Sequence, residues 1–291
     1  NRKSLPSCIL CNMKIFGGKL MSDFRIGDIV GRKSYGGDIA FEITDIYSDG
    51  RGKAKYVLKG LLYRIEADST EDDLIKLDQR SVNIDMNRYL TRAKNVSFRY
   101  MARAFGSFLF KVRGEPGKIL HVDSSRDFMN KCLEYYSDGG VKSVGKVVAE
   151  SSQPSVVRQL LETYKPDILV LTGHDSLKKG ADKSSLSSYK NSKYYIQAVK
   201  EARKYQPNLD KLCIFAGACQ SYFEGLMGAG ANFASSPGRI LINALDPAIV
   251  AEKVAITDSR KFVTPSEVAS LTISGAKGIG GINTRGHLTL S

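Results

Sequence analysis

The sequence has 291 residues, of which 42% are hydrophobic and 25% are charged, as is typical of a globular chain with one large and one small domain. Its net charge of +13 favours acidic surfaces or polyanions as partners, although a solvated basic surface is the simpler interpretation. No apolar run approaches the ~20 residues of a membrane-spanning helix, so the sequence predicts no membrane span.

Residues 1–20 show no hydrophobic periodicity, whereas a well-patterned segment starts directly after Met21. We therefore expect the native chain to start at Met21 and residues 1–20 to be an upstream extension or a disordered leader. The leader contains one C-x-x-C pair, Cys8 and Cys11, but no second pair or histidine cluster nearby completes a zinc site. Five cysteines in all, an odd and sparse set, favour free thiols in a reducing compartment over a disulfide framework.

Residues 21–78 are predicted to form a small all-β domain of the SH3-like type. Short strand-like runs alternate with glycine-containing turns. The runs are Ile26–Arg32, Ile39–Ile46, Lys53–Leu58 and Leu61–Ile65. The acidic segment Thr70–Leu77 favours a short helix, because acidic residues suit a first helical turn. Such barrels often bind another chain or an oligonucleotide, and a structural appendage is an equally good interpretation.

Residues 79–117 are predicted to be a basic linker. Within it, residues 88–113 contain seven arginines and lysines and no acidic residue. Met86–Phe110 has the pattern of an amphipathic helix, which Gly114–Gly117 would end. A solvated basic helix between two domains is the simplest interpretation. Such a stretch could also contact nucleic acid, or be cut by a protease that prefers basic residues.

Residues 118–291 alternate between strand and helix patterns, which predicts an α/β domain. The predicted strands are Ile119–Val122, Val144–Ala149, Ile168–Thr172, Leu212–Ala216 and Arg239–Leu245. Helix-length segments with capping residues lie between them. We therefore expect a mainly parallel sheet with helices on both faces and right-handed crossovers. The Gly-rich residues 274–291 show no clear element.

One reactive side chain follows each of two predicted strands. His174 follows the strand that ends at Thr172, and Cys219 follows the strand that ends at Ala216. A helix-length segment lies between them, so we expect neighbouring parallel strands whose carboxyl ends lie about 5 Å apart. A His and a Cys at matching heights there can form a thiolate–imidazolium pair, the base and nucleophile of a cysteine peptidase.

The other histidines and cysteines outside the leader fit other roles better. Two cysteines lie in apolar patterns of a strand and a helix, one histidine lies inside a strand, and one lies in the Gly-rich tail. These residues are Cys213, Cys132, His121 and His287. The first three are expected to be buried and structural, and His287 has no predicted element to position it.

The residues around Cys219 favour an activated thiolate. Ala216–Ala218 are small enough to let a substrate backbone approach, and the amide dipoles of the helix that follows would lower a thiol pKa. The backbone N–H groups of Cys219 and Asp175 are candidate oxyanion donors, and the Asp175 carboxylate could hold His174 in one tautomer. These residues lack a fourth ligand with suitable spacing, so no metal site is predicted.

The stretches LVLTGHD and CIFAGAC resemble the caspase–legumain–gingipain–clostripain clan of cysteine peptidases, in which a strand ending in His precedes a strand ending in Cys. Asp175 stands where that clan has Gly. A closer resemblance, to the sporulation-specific YabG peptidase family, covers almost the whole chain from Met21. It is carried by Ile26–Ile43, Lys59–Ala67, Lys118–Asp123, LVLTGHD and FAGACQSYFEGLMGAGANFASSP.

The resemblance implies a caspase-like peptidase that acts in the mother cell of endospore-forming bacteria and at the forespore surface and spore coat. It implies substrates among spore coat and cortex-associated proteins, cleavage after Arg or Lys, and self-processing. The nucleophile falls on Cys219 and the base on His174, and no cofactor is implied. An acidic residue is then expected in the specificity pocket, with Asp175 and Asp246 as candidates. Self-cleavage within residues 88–113 would separate the two domains.

The residues also fit a second hypothesis, a non-enzymatic basic protein that binds nucleic acid or coat polymer through its β domain and linker. Iodoacetamide labelling near neutral pH would discriminate between the two. Fast and selective labelling of Cys219 favours the enzyme, whereas uniformly slow thiols favour the binding protein.

Overall fold

The computed structural model describes residues 23–50, 52–84, 87–88, 91 and 114–290. They form an antiparallel β unit and a mixed α/β unit with a mainly parallel sheet. The predicted leader, residues 1–20, lies outside the described residues, and so does most of the predicted helix Met86–Phe110. Residues 79–84, 87, 88 and 91 are helical. The domain boundaries stay predictions.

The β unit is a five-stranded sheet in which all neighbouring strands are antiparallel, in the order β4-β3-β2-β1-β5. Its strands are β1 (Ile29–Arg32), β2 (Phe41–Ser48), β3 (Ala54–Gly60), β4 (Glu66–Thr70) and β5 (Leu74–Lys76). One face buries a small apolar core of its own, made by Val30, Phe41, Ile43, Tyr56, Leu58 and Leu74. The first three predicted strands are thereby confirmed.

Two sequence predictions in the β unit are wrong. Leu61–Ile65 was expected as a strand of this sheet, but it leaves the sheet between β3 and β4 and lies against the α/β unit. Thr70–Leu77 was expected as a helix, but it contains a single 3-10 turn followed by β5. The carboxylate of Asp73 accepts hydrogen bonds from the Ser34 N–H at 2.7 Å and from Arg32 at 2.9 Å, which fixes that turn.

The main sheet of the α/β unit has six strands in the order β13-β11-β10-β9-β7-β8. The strands of this unit are β6 (Gly114–Glu115), β7 (Ile119–Asp123), β8 (Ser143–Val147), β9 (Ile168–Leu171), β10 (Cys213–Ala216), β11 (Phe233–Ser235), β12 (Phe262–Val263), β13 (Ile279–Gly281), β14 (Thr284–Arg285) and β15 (Thr289–Leu290). Five of these strands, β8, β7, β9, β10 and β11 in spatial order, are parallel to one another, and β13 is antiparallel to β11. Two short ribbons, β12-β14 and β6-β15, lie outside the main sheet.

Helices cover both faces of the main sheet. They are α1 (Arg126–Asp138), α2 (Gln153–Tyr164), α3 (Ser192–Tyr205), α4 (Phe223–Gly228), α5 (Asp246–Ala255), α6 (Pro265–Leu271) and α7 (Gly275–Gly278). Buried side chains of α1, α5 and α6 pack on one face, and those of α2, α3 and α4 pack on the other. Alternate residues of β9 and β10 face the two clusters, so these strands are apolar throughout. The α/β prediction with a mainly parallel sheet is confirmed.

The carboxyl-terminal part of the chain differs from the sequence prediction. Arg239–Leu245 is not a strand, and the three-residue strand β11 takes the position next to β10. The Gly-rich tail, residues 274–291, was left without an element, yet it supplies β13, which closes one edge of the main sheet. Within the described part of the chain, no helix is both long enough and apolar enough to cross a membrane.

Candidate active site

The main sheet brings His174 and Cys219 to the same end of neighbouring strands. β9 and β10 pair in parallel, with Leu171 opposite Ala216. His174 lies three residues after Leu171, and Cys219 lies three residues after Ala216, so both follow their strands at the same height. The predicted pairing of the two strands is confirmed, and their carboxyl ends form the edge at which α/β sheets bind ligands.

Two side chains that follow other strands of the sheet, Ser124 after β7 and Glu150 after β8, hold the His174 ring. Nδ1 lies 3.2 Å from Ser124 Oγ and 3.5 Å from Glu150 Oε1, which also accepts the His174 backbone N–H at 2.8 Å. Burial alone would raise the pKa of Glu150, but the hydrogen bonds from His174 and Ser124 lower it to about 2. The carboxylate is therefore charged at neutral pH. It fixes the ring through Nδ1 and leaves Nε2 for other chemistry.

Gly173 makes room for this arrangement. Its φ is +155°, and a Cβ at this position would lie 2.5 Å from Ser124 Oγ, 2.6 Å from Glu150 Oε1 and 2.8 Å from Tyr195 Oη. Tyr195 Oη also donates to the His174 carbonyl at 3.1 Å. All three polar groups belong to the arrangement around His174, so none can move away without losing its contact. Glycine is therefore required at this position.

Cys219 is buried, with 1% of the residue exposed. The Ile242 N–H donates to Sγ at 3.3 Å, and the thiol donates to the Ile242 carbonyl at 3.8 Å. Burial raises the pKa of the thiol to about 12, although the Ile242 hydrogen bond and the Arg64 charge partly oppose this shift. The prediction of a thiolate at neutral pH is therefore wrong for this arrangement. Among the described residues, no hydrogen bond joins Sγ to the His174 ring.

The Asp175 carboxylate connects the loops that carry His174 and Cys219. It accepts hydrogen bonds from the Ser192 hydroxyl at 2.5 Å and from the Ser221 hydroxyl at 2.9 Å. Ser192 starts α3, and Ser221 lies two residues after Cys219. Burial raises the pKa of Asp175. The sequence predicts that Asp175 holds His174 in one tautomer. Glu150 makes that contact instead, because the Asp175 carboxylate binds the hydroxyl groups of Ser192 and Ser221.

Asp246, the second predicted specificity residue, is fully buried at the start of α5. Its carboxylate accepts the backbone N–H groups of Asn243 at 3.1 Å, Ile273 at 2.8 Å and Ser274 at 3.3 Å. Burial raises its pKa. The carboxylates of Asp175 and Asp246 thus both bind groups of the chain itself, and their assignment to substrate binding stays a prediction.

The oxyanion prediction depends on the backbone N–H groups of Cys219 and Asp175, both of which belong to buried residues. Neither the Cys219 N–H nor the Asp175 N–H donates to another group in the described part of the chain. The amides on either side of Cys219 do donate, since the Ala218 N–H bonds to a hydroxyl at 2.9 Å and the Gln220 N–H bonds to a carbonyl at 3.0 Å. The oxyanion assignment stays a prediction that this geometry permits.

A buried ion pair lies beside these residues. Arg64, from the β unit, donates from Nη1 to Asp123 Oδ2 at 2.5 Å, and both side chains are 0% exposed. Burial opposes both charges, but their attraction lowers the pKa of Asp123 and raises that of Arg64. His121 is buried as expected, with Nε2 3.5 Å from the same Asp123 oxygen and Nδ1 3.0 Å from the Tyr136 hydroxyl. Burial lowers the pKa of His121.

The remaining candidates lie elsewhere. Cys213 in β10 and Cys132 in α1 are buried, and burial raises the pKa of each thiol to about 12. His287 packs against Gly117, near the amino ends of β7 and β9 and therefore at the opposite end of the main sheet from His174. Over the residues that the structure describes, no group of three or more His, Cys, Asp or Glu could hold a metal ion.

Glu150 and Asp123 belong to the site but are not among the residues predicted from the sequence. Glu150 follows β8 and Asp123 ends β7, so both lie at carboxyl ends of the main sheet. The rule that selected His174 and Cys219 would also have selected these two carboxylates, had it been applied to every strand. Arg64 carries no such local signal, because it meets Asp123 across 59 positions of sequence.

Comparison with known proteins gives consistent matches over this fold. A family model described as YabG peptidase U57 matches residues 25–291. The sporulation-specific protease YabG of Bacillus subtilis (strain 168) is 38% identical over 283 residues, which cover 92% of this chain and 97% of that protein.

Proposed function

Because the chain belongs to the YabG peptidase U57 family, we propose that it is a cysteine endopeptidase with Cys219 as nucleophile and His174 as general base. Family membership itself gives a protease role in sporulation and protein substrates. The cysteine assignment is supported by one observation above all. Cys219 and His174 follow neighbouring parallel strands at the same height, and Glu150 fixes the imidazole through Nδ1.

In the proposed reaction, His174 Nε2 takes the proton of the Cys219 thiol as the sulfur attacks the carbonyl carbon of the substrate peptide bond. The oxyanion that forms accepts hydrogen bonds from the backbone N–H groups of Cys219 and Asp175. His174 then gives the proton to the leaving amine while the C–N bond breaks, which leaves a thioester on Cys219. Water, deprotonated by His174, hydrolyses the thioester and restores the thiol.

The finer parts of the proposal rest on the family resemblance. The substrates are spore coat and cortex-associated proteins, cut after Arg or Lys, in the mother cell and at the forespore surface. The chain processes itself within residues 88–113, most of which lie outside the described residues. The α/β unit is caspase-like and the β unit is SH3-like.

The proposal is tested by incubating spore-coat extract and an arginyl fluorogenic peptide with the full chain and with its Cys219→Ala and His174→Ala variants. Either substitution should lower the peptidase rate by at least about 1000-fold, because each removes one partner of a unit that works together. Self-shortening of the chain should stop in the same variants.

Cys213→Ala is the matched control, since it removes an equally buried thiol from the start of β10, the strand that Cys219 follows. It should keep most of the wild-type rate. Cleavage that survives Cys219→Ala, or that Cys213→Ala abolishes in a folded protein, contradicts the proposal.

A further inference from the structure

A short segment of the β unit, residues 62–64, forms an isolated antiparallel bridge with the residues that cover Cys219, and the chain turns directly after it, where the Ile65 N–H donates to the Tyr63 carbonyl at 2.9 Å. The Ala244 N–H donates to the Leu62 carbonyl at 2.8 Å, and the Arg64 N–H donates to the Ile242 carbonyl at 3.4 Å. Ile242 is also the residue whose backbone contacts the Cys219 sulfur. Peptides add to exposed backbone edges through hydrogen bonds of this kind. The segment therefore lies where an extended substrate would approach the thiol.

The Arg64 side chain fills a pocket that suits a planar guanidinium. Nη1 donates to Asp123 Oδ2 at 2.5 Å, and Nη2 donates to the Ala244 carbonyl at 2.9 Å and to Cys132 Sγ at 3.5 Å. The Arg64 Cζ lies 5.1 Å from the centre of the Phe128 ring. A carboxylate, a carbonyl and an aromatic face are the groups that select arginine over other side chains.

The α/β unit supplies every group of this pocket, and the β unit supplies only the arginine. Asp123 is held by groups of its own unit, since the Ser125 N–H donates to Oδ1 at 2.8 Å and His121 Nε2 lies 3.5 Å from Oδ2. The carboxylate thus has contacts within its own unit besides the one with Arg64. A guanidinium from another chain would meet the same partners.

The segment of the β unit that contains Arg64 contacts both residues of the proposed catalytic pair. Arg64 is close enough to Cys219 for both its backbone N–H and its charge to act on the thiol. Two residues further along, Glu66 Oε1 lies 3.5 Å from His174 Nε2. The peptide bond from Arg64 to Ile65 thus lies between the contacts with the two catalytic candidates. A substrate peptide bond that is cut after a basic residue would occupy the same position.

We propose that Asp123 forms the floor of an arginine-specific subsite, and that Arg64 occupies this subsite within the same chain, so that the β unit blocks the peptidase site until a substrate arginine displaces it. The inference rests on the proposed function, because it names the residue that recognises the side chain before the cut. It assigns specificity to Asp123 in place of Asp175 and Asp246.

A binding experiment without catalysis tests the subsite. In a full chain that carries Cys219→Ala, the added change Arg64→Ala empties the pocket. Saturating N-acetyl-arginine amide should then raise the melting temperature by about 5 °C, whereas the uncharged N-acetyl-citrulline amide should not. Adding Asp123→Asn should abolish the shift. With Arg64 present, the probe should have no effect.

The matched control is Arg32→Ala in the same Cys219→Ala chain. Arg32 belongs to the β unit and pairs with Asp73 at 2.9 Å, away from the site, so its removal also leaves one aspartate without its arginine. No probe-induced shift should appear. An absent shift in the folded Arg64→Ala protein, or an equal shift in the Arg32→Ala protein, overturns the inference.

A second variant covers the case in which Arg64→Ala does not fold. Arg64→Lys, in the chain with Cys219, keeps the charge but loses the planar two-point contact. Because the subsite is then occupied for a smaller fraction of the time, KM for an arginyl peptide should fall about tenfold with little change in kcat. An unchanged KM overturns the inference. Inactivity of every thiol-containing variant would contradict the proposed function alone, since the binding experiment needs no catalysis.

Discussion

Glu150 shows how one carboxylate can organise the proposed base. It lies on the far edge of the sheet relative to Cys219, beyond the strand that carries Asp123, yet its side chain reaches both Nδ1 and the backbone N–H of His174. The ring is thus fixed by residues that follow two other strands. Within the described residues Nε2 makes no hydrogen bond, and Glu66 Oε1 lies 3.5 Å from it.

Glu150→Gln should make the protein about 2 kcal/mol less stable at neutral pH, because it removes hydrogen bonds to a charged group. Folding lowers the pKa of Glu150 from 4.5 to about 2. A lowered carboxylate pKa adds stability that is complete above 4.5 and is lost as the pH falls toward 2. Glutamine does not titrate, so the variant should lose less stability over that window. Urea denaturation at a series of pH values measures this.

The control for that experiment is Glu162→Gln, which removes a carboxylate from an exposed ion pair with Arg158. Such pairs contribute little, so the wild-type dependence of stability on pH should persist. If Glu150→Gln were as sensitive to acid as the wild type, the charged carboxylate beside His174 would be refuted.

Gly173→Ala should lower the peptidase rate about 100-fold, because its Cβ would meet Ser124 Oγ at 2.5 Å and Glu150 Oε1 at 2.6 Å and so displace the ring of His174. Gly180→Ala is the matched control. Gly180 also has a positive φ, +72°, but nothing lies within 4 Å of the added Cβ. The control shares the backbone strain without the collision and should keep most of its activity. Equal rates for the two folded variants would contradict the role of Gly173.

At the scale of elements, the sheet depends on its carboxyl-terminal strand. β11 has three residues and pairs with β10 on one side and with β13 on the other. The antiparallel β13 covers the edge of β11 that would otherwise be free. Its residue Ile279 packs in the same core cluster as Phe233. The Gly-rich tail is therefore part of the fold of the α/β unit.

Ile279→Ala should cost about 3 kcal/mol of unfolding free energy, since Ile279 is 1% exposed and its truncation leaves a cavity in the core. Ile282→Ala, three residues later, makes the same chemical change where the side chain is 38% exposed. It should cost less than about 1 kcal/mol. Urea denaturation of both variants measures the difference. Similar losses would contradict the burial assigned to β13.

The sequence predicted some elements and not others for physical reasons. β9 and β10 are continuous apolar runs, β7 is apolar except for His121 and Asp123, and each is followed by a helix-length segment, which local patterning identifies. Phe233–Ser235 is too short to form such a run, and its pairing on both sides is a property of the tertiary structure. Arg239–Leu245 has the composition of a strand, but its backbone pairs with Leu62 and Arg64 from a distant part of the chain.

At the scale of the whole molecule, the β unit is attached to the α/β unit beside the catalytic candidates. Besides the buried Arg64–Asp123 pair, Lys59 pairs with Asp127, and Lys131 donates to the Leu61 carbonyl at 3.3 Å. The positions of His174 and Cys219 could be predicted, because each depends on one strand. The position of the β unit beside these two residues could not be predicted, because it depends on contacts between two units that are distant in sequence.

This position of the β unit is tested by alkylation of Cys219. Burial raises the pKa of its thiol to about 12, so the thiol stays protonated at pH 7. Iodoacetamide should label Cys219 of the native chain at least about 1000-fold more slowly than in the unfolded chain. Because the pKa is raised, the rate should grow about tenfold with each added pH unit until the thiol titrates. Slow labelling is thus expected of the covered enzyme as well as of a binding protein.

Arg64→Ala should speed the labelling of Cys219 at neutral pH by about 100-fold, because it removes the side chain that holds the β unit over the thiol. Cys213 is the internal control. Burial also raises its pKa to about 12, and it lies within β10, so it should stay slow in both proteins. Mass spectrometry of the two labelled peptides measures both rates in one sample. Rapid labelling of Cys219 in the wild-type chain, or equal acceleration of Cys213, would show that the β unit does not control access to the thiol.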